Sequence, residues 1–306
     1  MKLFQKRKLY SICGNGSYED IVDYLKGCVG GEKYLAKYRR IFEGTEYVLL
    51  TTDERIKDIL RTYEDYLKYV LTTKGTIESR KKYIVECFRD FFPAVTEYEE
   101  FEQVFSAYFK KFGYFVNFGV TKPFPTLYLW KTQNKREIEV ELPETTVMMN
   151  VYEMADIMTR GWYSYLTFDK VGAGGWVSDD GCYYFKGKYK LNSEDFQISL
   201  LKHEGQHFHD LTQNPDMPST KLEYRAKLVE LVYLRKRIVF NSFLDRMGDD
   251  PENPHTYANK QIISALSKRI FSEELVTDKK KWRAAYQQVA PTALKLLQED
   301  TLHQNS

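Results

Sequence analysis

The chain has 306 residues, a length ample for one large domain or two smaller ones, and at 43% hydrophobic and 29% charged it reads as globular rather than disordered. Its 45 basic and 43 acidic residues are interspersed and leave a formal charge of +2, so no nucleic-acid footprint is expected. The short runs Lys6-Arg7-Lys8 and Lys279-Lys280-Lys281 read as solvated surface.

From Tyr18 to about Phe112 the pattern is helical. Ile21, Tyr24 and Leu25 form one apolar stripe at i, i+3, i+4 spacing. Ile56, Ile59, Leu60, Tyr63, Tyr66, Leu67 and Val70 form a second, and Phe101, Val104, Phe105, Tyr108 and Phe109 a third. The period then changes. Tyr114–Phe118, Leu127–Trp130, Ile138–Leu142 and Thr146–Met149 are rich in strand formers, with Pro123, Pro125 and Pro143 between them where turns are expected. Trp162–Phe168 is a further candidate strand. Trp176-Val177-Ser178 and Cys182–Phe185 flank Asp179-Asp180-Gly181, a hairpin signal. Beyond Lys190 the helical period returns, with Asn192 or Ser193 as a cap and a break at Gly248–Pro254. The expected class is α+β: a helical region over 1–112, then a domain over 113–306 whose mostly antiparallel sheet (113–190) precedes helices (191–306).

The 24 Tyr and 19 Phe suggest an aromatic core with tyrosine hydroxyls at its edges. Cys13, Cys28, Cys87 and Cys182 form no C-x-x-C pair and are expected to be free, buried thiols. Basic residues near Met1 precede no apolar h-region, and no run of ~18 apolar residues occurs, so no membrane span is expected. The expected location is cytoplasmic, although a secreted form shorn of its leader has the same appearance.

The chemistry concentrates in His203-Glu204-Gly205-Gln206-His207. Four residues apart on a helix, the two imidazoles share a face and can hold one metal, Zn2+ being the expected ion. Glu204 can reach a metal-bound water and act as general base. Gly205 costs ~1 kcal/mol inside a helix, which a close backbone approach on the face away from the metal would justify.

A third ligand is needed. His209 points away from His207, and Asp210 and Gln213 do not continue a metzincin pattern. Glu223 follows the loop Gln213–Pro218, early in a helix read over about Thr220–Phe240, and a helix hairpin would bring it to the metal. Its alternative is structural: Thr220-x-x-Glu223 is a capping-box pattern, with Lys227 available as an i+4 partner. Glu230 is a more distant fallback two turns along. Asp210 is either an orienting carboxylate for a ligand histidine or ordinary helix surface.

These residues resemble the gluzincin class of zinc metallopeptidases, with H-E-x-x-H on one helix and a glutamate on the next; His203, Glu204, His207 and Glu223 match position by position. Glu223-Tyr224-Arg225-Ala226 is similar to the E-x-x-A variant, in which a small residue lets the helices approach. Thermolysin-like enzymes carry Asp where this chain has Lys227. The resemblance covers about residues 172–230. It implies a zincin-like fold, a zinc-bound water activated by Glu204, and a peptide or protein substrate paired along a cleft-edge strand, here Gly172–Val177. Tyr224, Tyr233, His255 and Tyr257 are candidates to stabilise the oxyanion, Tyr224 and His255 being carried forward as catalytic candidates. The competing readings are a catalytically inactive binding or regulatory protein on the same fold, and a zinc hydrolase of a non-peptide amide or ester.

Overall fold

The computed structural model describes residues 2–44, 47, 49–121, 123–178 and 180–304. In chain order the elements are β1 (Lys2–Leu3), α1 (Lys6–Cys13), α2 (Tyr18–Lys26), β2 (Cys28–Val29), α3 (Glu32–Phe42), α4 (Glu54–Thr72), α5 (Ile77–Cys87) and α6 (Tyr98–Lys110). Then come β3 (Phe115–Thr121), β4 (Phe124–Glu141), β5 (Thr146–Ile157), α7 (Trp162–Thr167), β6 (Gly175–Ser178) and β7 (Gly181–Phe185). The rest is helical: α8 (Glu194–Phe196), a π-helical turn (Gln197–Lys202), α9 (His203–Gln213), α10 (Ser219–Tyr233), α11 (Arg237–Asp245), α12 (Pro254–Phe271), α13 (Lys279–Ala285) and α14 (Val289–Gln304). This is an α+β chain. Its larger sheet has the order β3-β4-β5-β7-β6, and the pairings of β3 with β4 and of β6 with β7 are antiparallel.

The chain divides into two compact units, and not between 112 and 113. Unit 1 is 1–133 with 154–173; unit 2 is 134–153 with 174–306, so β4 and β5 give residues to both. The reason is the length of β4. The sequence reads Leu127–Trp130 and Ile138–Leu142 as separate strands, because Lys131–Glu137 between them is polar. That stretch nevertheless continues the strand, and its side chains are largely exposed.

Unit 1 buries the three stripes read from the sequence. Phe88, Phe101, Phe105 and Phe109 are fully buried, with Phe101 edge-on to Phe105 at 5.4 Å. Tyrosine hydroxyls close its polar gaps: Tyr66 donates to Pro125 O at 3.1 Å, and Tyr63 donates to Arg160 O at 3.2 Å. Pro125, expected in a turn, lies in β4 opposite Val120. Trp162–Phe168 is a short helix, not a strand. Trp162, Tyr165 and Leu166 are buried at helical spacing, and Phe168 ends the turn in the left-handed region at φ 53°. None of the four cysteines forms a disulfide, and Cys87 is only half-buried.

Unit 2 is organised around α10. This helix packs against α9, α12 and α14, and residues on all its sides are buried, including Glu223, Arg225 and Glu230. Charges buried this way need partners, and the partners build the site. The helix ends at Tyr233 and a new one, α11, begins at Arg237, so the single helix expected to reach Phe240 is two. Neither Gly nor Pro marks that break. The cap at the other end of the sequence-read helical region is as expected, with Ser193 Oγ accepting from Phe196 N at 3.3 Å. Ser178 pairs with Gly181 across the β6–β7 hairpin; Asp179 of that turn lies outside the described residues. Among the described residues, no helix is long and apolar enough to cross a membrane.

Candidate metal centre

α9 carries His203 and His207 one turn apart on a buried face. Their rings stand edge to face at 4.6 Å, with the two Nε2 atoms 3.0 Å apart. Gly205 is on the opposite face, where a Cβ would lie 3.0 Å from Val140 Cγ1 of β4 and 3.6 Å from Leu142 Cδ2. The glycine thus lets α9 seat against β4, the close approach its presence in the motif suggested.

Glu223 comes from α10. Its Oε1 lies 3.5 Å from His207 Nε2 and its Oε2 3.8 Å from His203 Nε2. One ligand atom from each of His203, His207 and Glu223 falls within 4.8 Å of the others, and all three residues are buried. The capping alternative does not hold. α10 begins at Ser219 after Pro218, with no side-chain cap, so Thr220 is already inside the helix. Lys227 does not serve Glu223 either; its Nζ sits 4.9 Å over the Phe243 ring.

Glu230, two turns beyond Glu223, reaches the cluster from behind. Its Oε1 accepts from His203 Nδ1 at 2.7 Å. With Nδ1 directed there, Nε2 of His203 faces His207 and Glu223. Spacing in the sequence marks Glu230 only as a remote ligand; the i+7 position on the buried face of α10 is the signal for its orienting role. Asp210 does not orient a histidine and is not surface. It is buried, accepts from Gln206 Nε2 at 2.8 Å and from Arg225 Nε at 2.9 Å. Arg225 also donates to Asp300 Oδ2 at 2.9 Å and Thr301 Oγ1 at 3.1 Å, tying α9 and α10 to α14.

The electrostatics match this packing. Burial disfavours charge on His203, but Glu223 and Glu230, with a smaller contribution from Glu204, outweigh it and hold its pKa up to about 10. Burial would raise the Glu223 carboxyl; His203, His207 and His255 instead hold it well below the usual carboxylate range. Glu230 is likewise lowered against its burial by His203 and, more weakly, Lys227 and Ser199. Glu204 is half-buried. Its charge adds to the burial that pushes the Cys182 thiol up, and contributes to holding the Tyr189 hydroxyl at about 12, after burial and Cys182.

Two buried oxygen and nitrogen atoms at the centre, Glu223 Oε2 and His207 Nδ1, take no aligned hydrogen bond. The two imidazoles and one carboxylate, buried and converging on one point, are a donor set that fits a cation. The remaining candidates divide. His255, on the second residue of α12, places Nδ1 2.7 Å from Glu223 Oε2. Tyr224 is not brought to the cluster; it turns to the groove formed with Gln261, Ser264, Ala265, Lys268 and Asp300. Its hydroxyl is pushed up to about 12 by burial and then by Asp300. Tyr233 is near the far end of α10, under Lys202 Nζ at 3.8 Å. Tyr257 is half-buried on α12.

β6 ends the strand order, and α9 packs against both β6 and β7. The glycines before it have internal reasons. A Cβ at Gly175 would strike the Tyr183 carbonyl, and one at Gly174 the Tyr189 hydroxyl. They let β6 and its own neighbours pack and do not by themselves mark an approaching substrate. Comparison of the chain with known protein families, with curated proteins and with solved structures finds no match in any of the three.

Proposed function

We propose that this chain is a zinc-dependent hydrolase, and specifically a metallopeptidase with a zincin-like arrangement of sheet, motif helix and glutamate helix. The observation that carries the reading is the convergence of His203, His207 and Glu223 from two helices onto one buried point, with Glu204 on the same helix as the histidines. Zn2+ held by these three residues supplies an open position for water, lowers that water's pKa and polarises a carbonyl.

The chain's own groups do the rest. Glu230 fixes the His203 tautomer, so that Nε2 faces inward. Glu204 takes a proton from the attacking water and returns it to the leaving amine. β6, at the end of the sheet and beside α9, offers main-chain groups to an extended peptide. Val177 pairs with Cys182, whose side chain is in the core, and so shares that strand face; Trp176 and Tyr183 take the other.

The test is metal content and turnover together. Purified protein is expected to hold about one zinc per chain. Glu204→Gln is expected to keep the zinc and lower peptide hydrolysis by about 10²–10⁴-fold. Protein without zinc, or an unaltered rate in the variant, refutes the proposal.

A further inference from the structure

We infer that His255 is a positioning residue for the metal centre: its Nδ1 pairs with Oε2 of Glu223 and so fixes how that carboxylate is presented to the histidine pair. The inference rests on the zinc reading above and assigns His255 a role different from oxyanion stabilisation.

Glu223 divides its two oxygens. Oε1 is 3.5 Å from His207 Nε2, whereas Oε2 lies 2.7 Å from His255 Nδ1 and 3.8 Å from His203 Nε2. His255 is not itself among the residues whose ligand atoms converge. It therefore meets the carboxylate from outside. A ligand carboxylate is commonly fixed by hydrogen bonds of this kind, because they set which lone pair the metal meets.

The backbone under His255 is well held although its side chain is 66% exposed. Gly248 N donates to Thr256 O at 3.0 Å, and the buried Asn259 donates through Nδ2 to Arg246 O at 2.9 Å. These bonds pin the loop that delivers His255 to the start of α12. Nδ1 stands 2.7 Å from Oε2 without the alignment of a hydrogen bond. An oxyanion donor would instead have to direct a nitrogen at the reacting carbonyl, and with Nδ1 on Glu223 only Nε2 remains.

The two roles use different nitrogens, and amide side chains separate them. Asn places a donor where Nδ1 is; Gln reaches the Nε2 position. The experiment is zinc affinity by competition with a chromophoric chelator, on the full chain, for the wild type and for H255A, H255N and H255Q, with circular dichroism to verify folding. H255A and H255Q are expected to bind zinc about 10–100-fold more weakly, and H255N to stay within about threefold of wild type. Affinity in H255A within about twofold of wild type overturns the positioning role while wild-type zinc binding leaves the metal centre standing. Weakening in H255N equal to that in H255A overturns the Nδ1 assignment. A wild type that binds no zinc overturns both this inference and the proposed function.

Discussion

Arg225→Met isolates the charge that locks the motif helix in place. Arg225 is 2% exposed and makes three hydrogen bonds: to Asp210 Oδ2 at 2.9 Å, Asp300 Oδ2 at 2.9 Å and Thr301 Oγ1 at 3.1 Å. Methionine keeps much of the volume and deletes the charge. Asp300 retains its ion pair with Lys221. Asp210, also 2% exposed, is left with only the donation from Gln206. An uncompensated buried carboxylate of this kind costs about 3–5 kcal/mol. Against a typical total of about 5–15 kcal/mol, that is a large fraction of the stability. Replacing Asp210 as well, in Asp210→Leu/Arg225→Met, removes the stranded charge and is expected to recover most of the loss. The assay is urea unfolding followed by circular dichroism in the presence of chelator, so that metal binding does not mask the change. A loss under about 1 kcal/mol in the single variant, or a double variant no better than the single, refutes the argument.

Glu230→Gln keeps an acceptor for His203 Nδ1 but removes its charge, and is expected to weaken zinc binding about 10–100-fold by isothermal titration; unchanged affinity would mean the 2.7 Å contact does not orient the ligand. Gly205→Leu forces a branched side chain against Val140 and Leu142, and is expected to lower the urea midpoint by an amount equivalent to about 1–3 kcal/mol. No change there would show that α9 does not rest on β4. Zinc at about 100 times its dissociation constant is expected to stabilise the wild type by about 2.7 kcal/mol, seen as a rise in thermal midpoint that chelator reverses and Glu223→Gln abolishes.

Much of the site was legible because its chemistry is local. The i, i+4 spacing of His203 and His207 sets their common face whatever the rest of the chain does. Glu223 needed only one loop and the next helix. What escaped depends on tertiary placement. Tyr224 shares a helix with Glu223 but stands about 100° around it, and so faces the groove with α12. Glu230 takes the orienting role that spacing suggested for Asp210, because α10 is buried on every side and Arg225 claims Asp210. In the fold, the stripes of α2, α4 and α6 were readable from their period. Trp162–Phe168 was not, since a seven-residue aromatic run suits a strand or a helix equally, and the left-handed Phe168 that closes the turn leaves no glycine to announce it. β4 hid its continuity behind a polar middle that is exposed rather than looped.

The π-helical turn at Gln197–Lys202 runs directly into His203. Upstream of the junction Ile198, Leu200 and Leu201 are buried in the core; downstream, His203 and His207 turn a nitrogen each to the candidate metal centre. The wide turn is a phase shifter between those two faces. Excising one residue from it, so that the segment winds as plain α-helix, would leave the helix and its composition intact while rotating one face against the other by about 100°. The apolar anchor would then be satisfied only with the imidazoles aimed elsewhere. Alignment of the centre with the rest of unit 2 is therefore an angular quantity, set by how many residues that single turn contains.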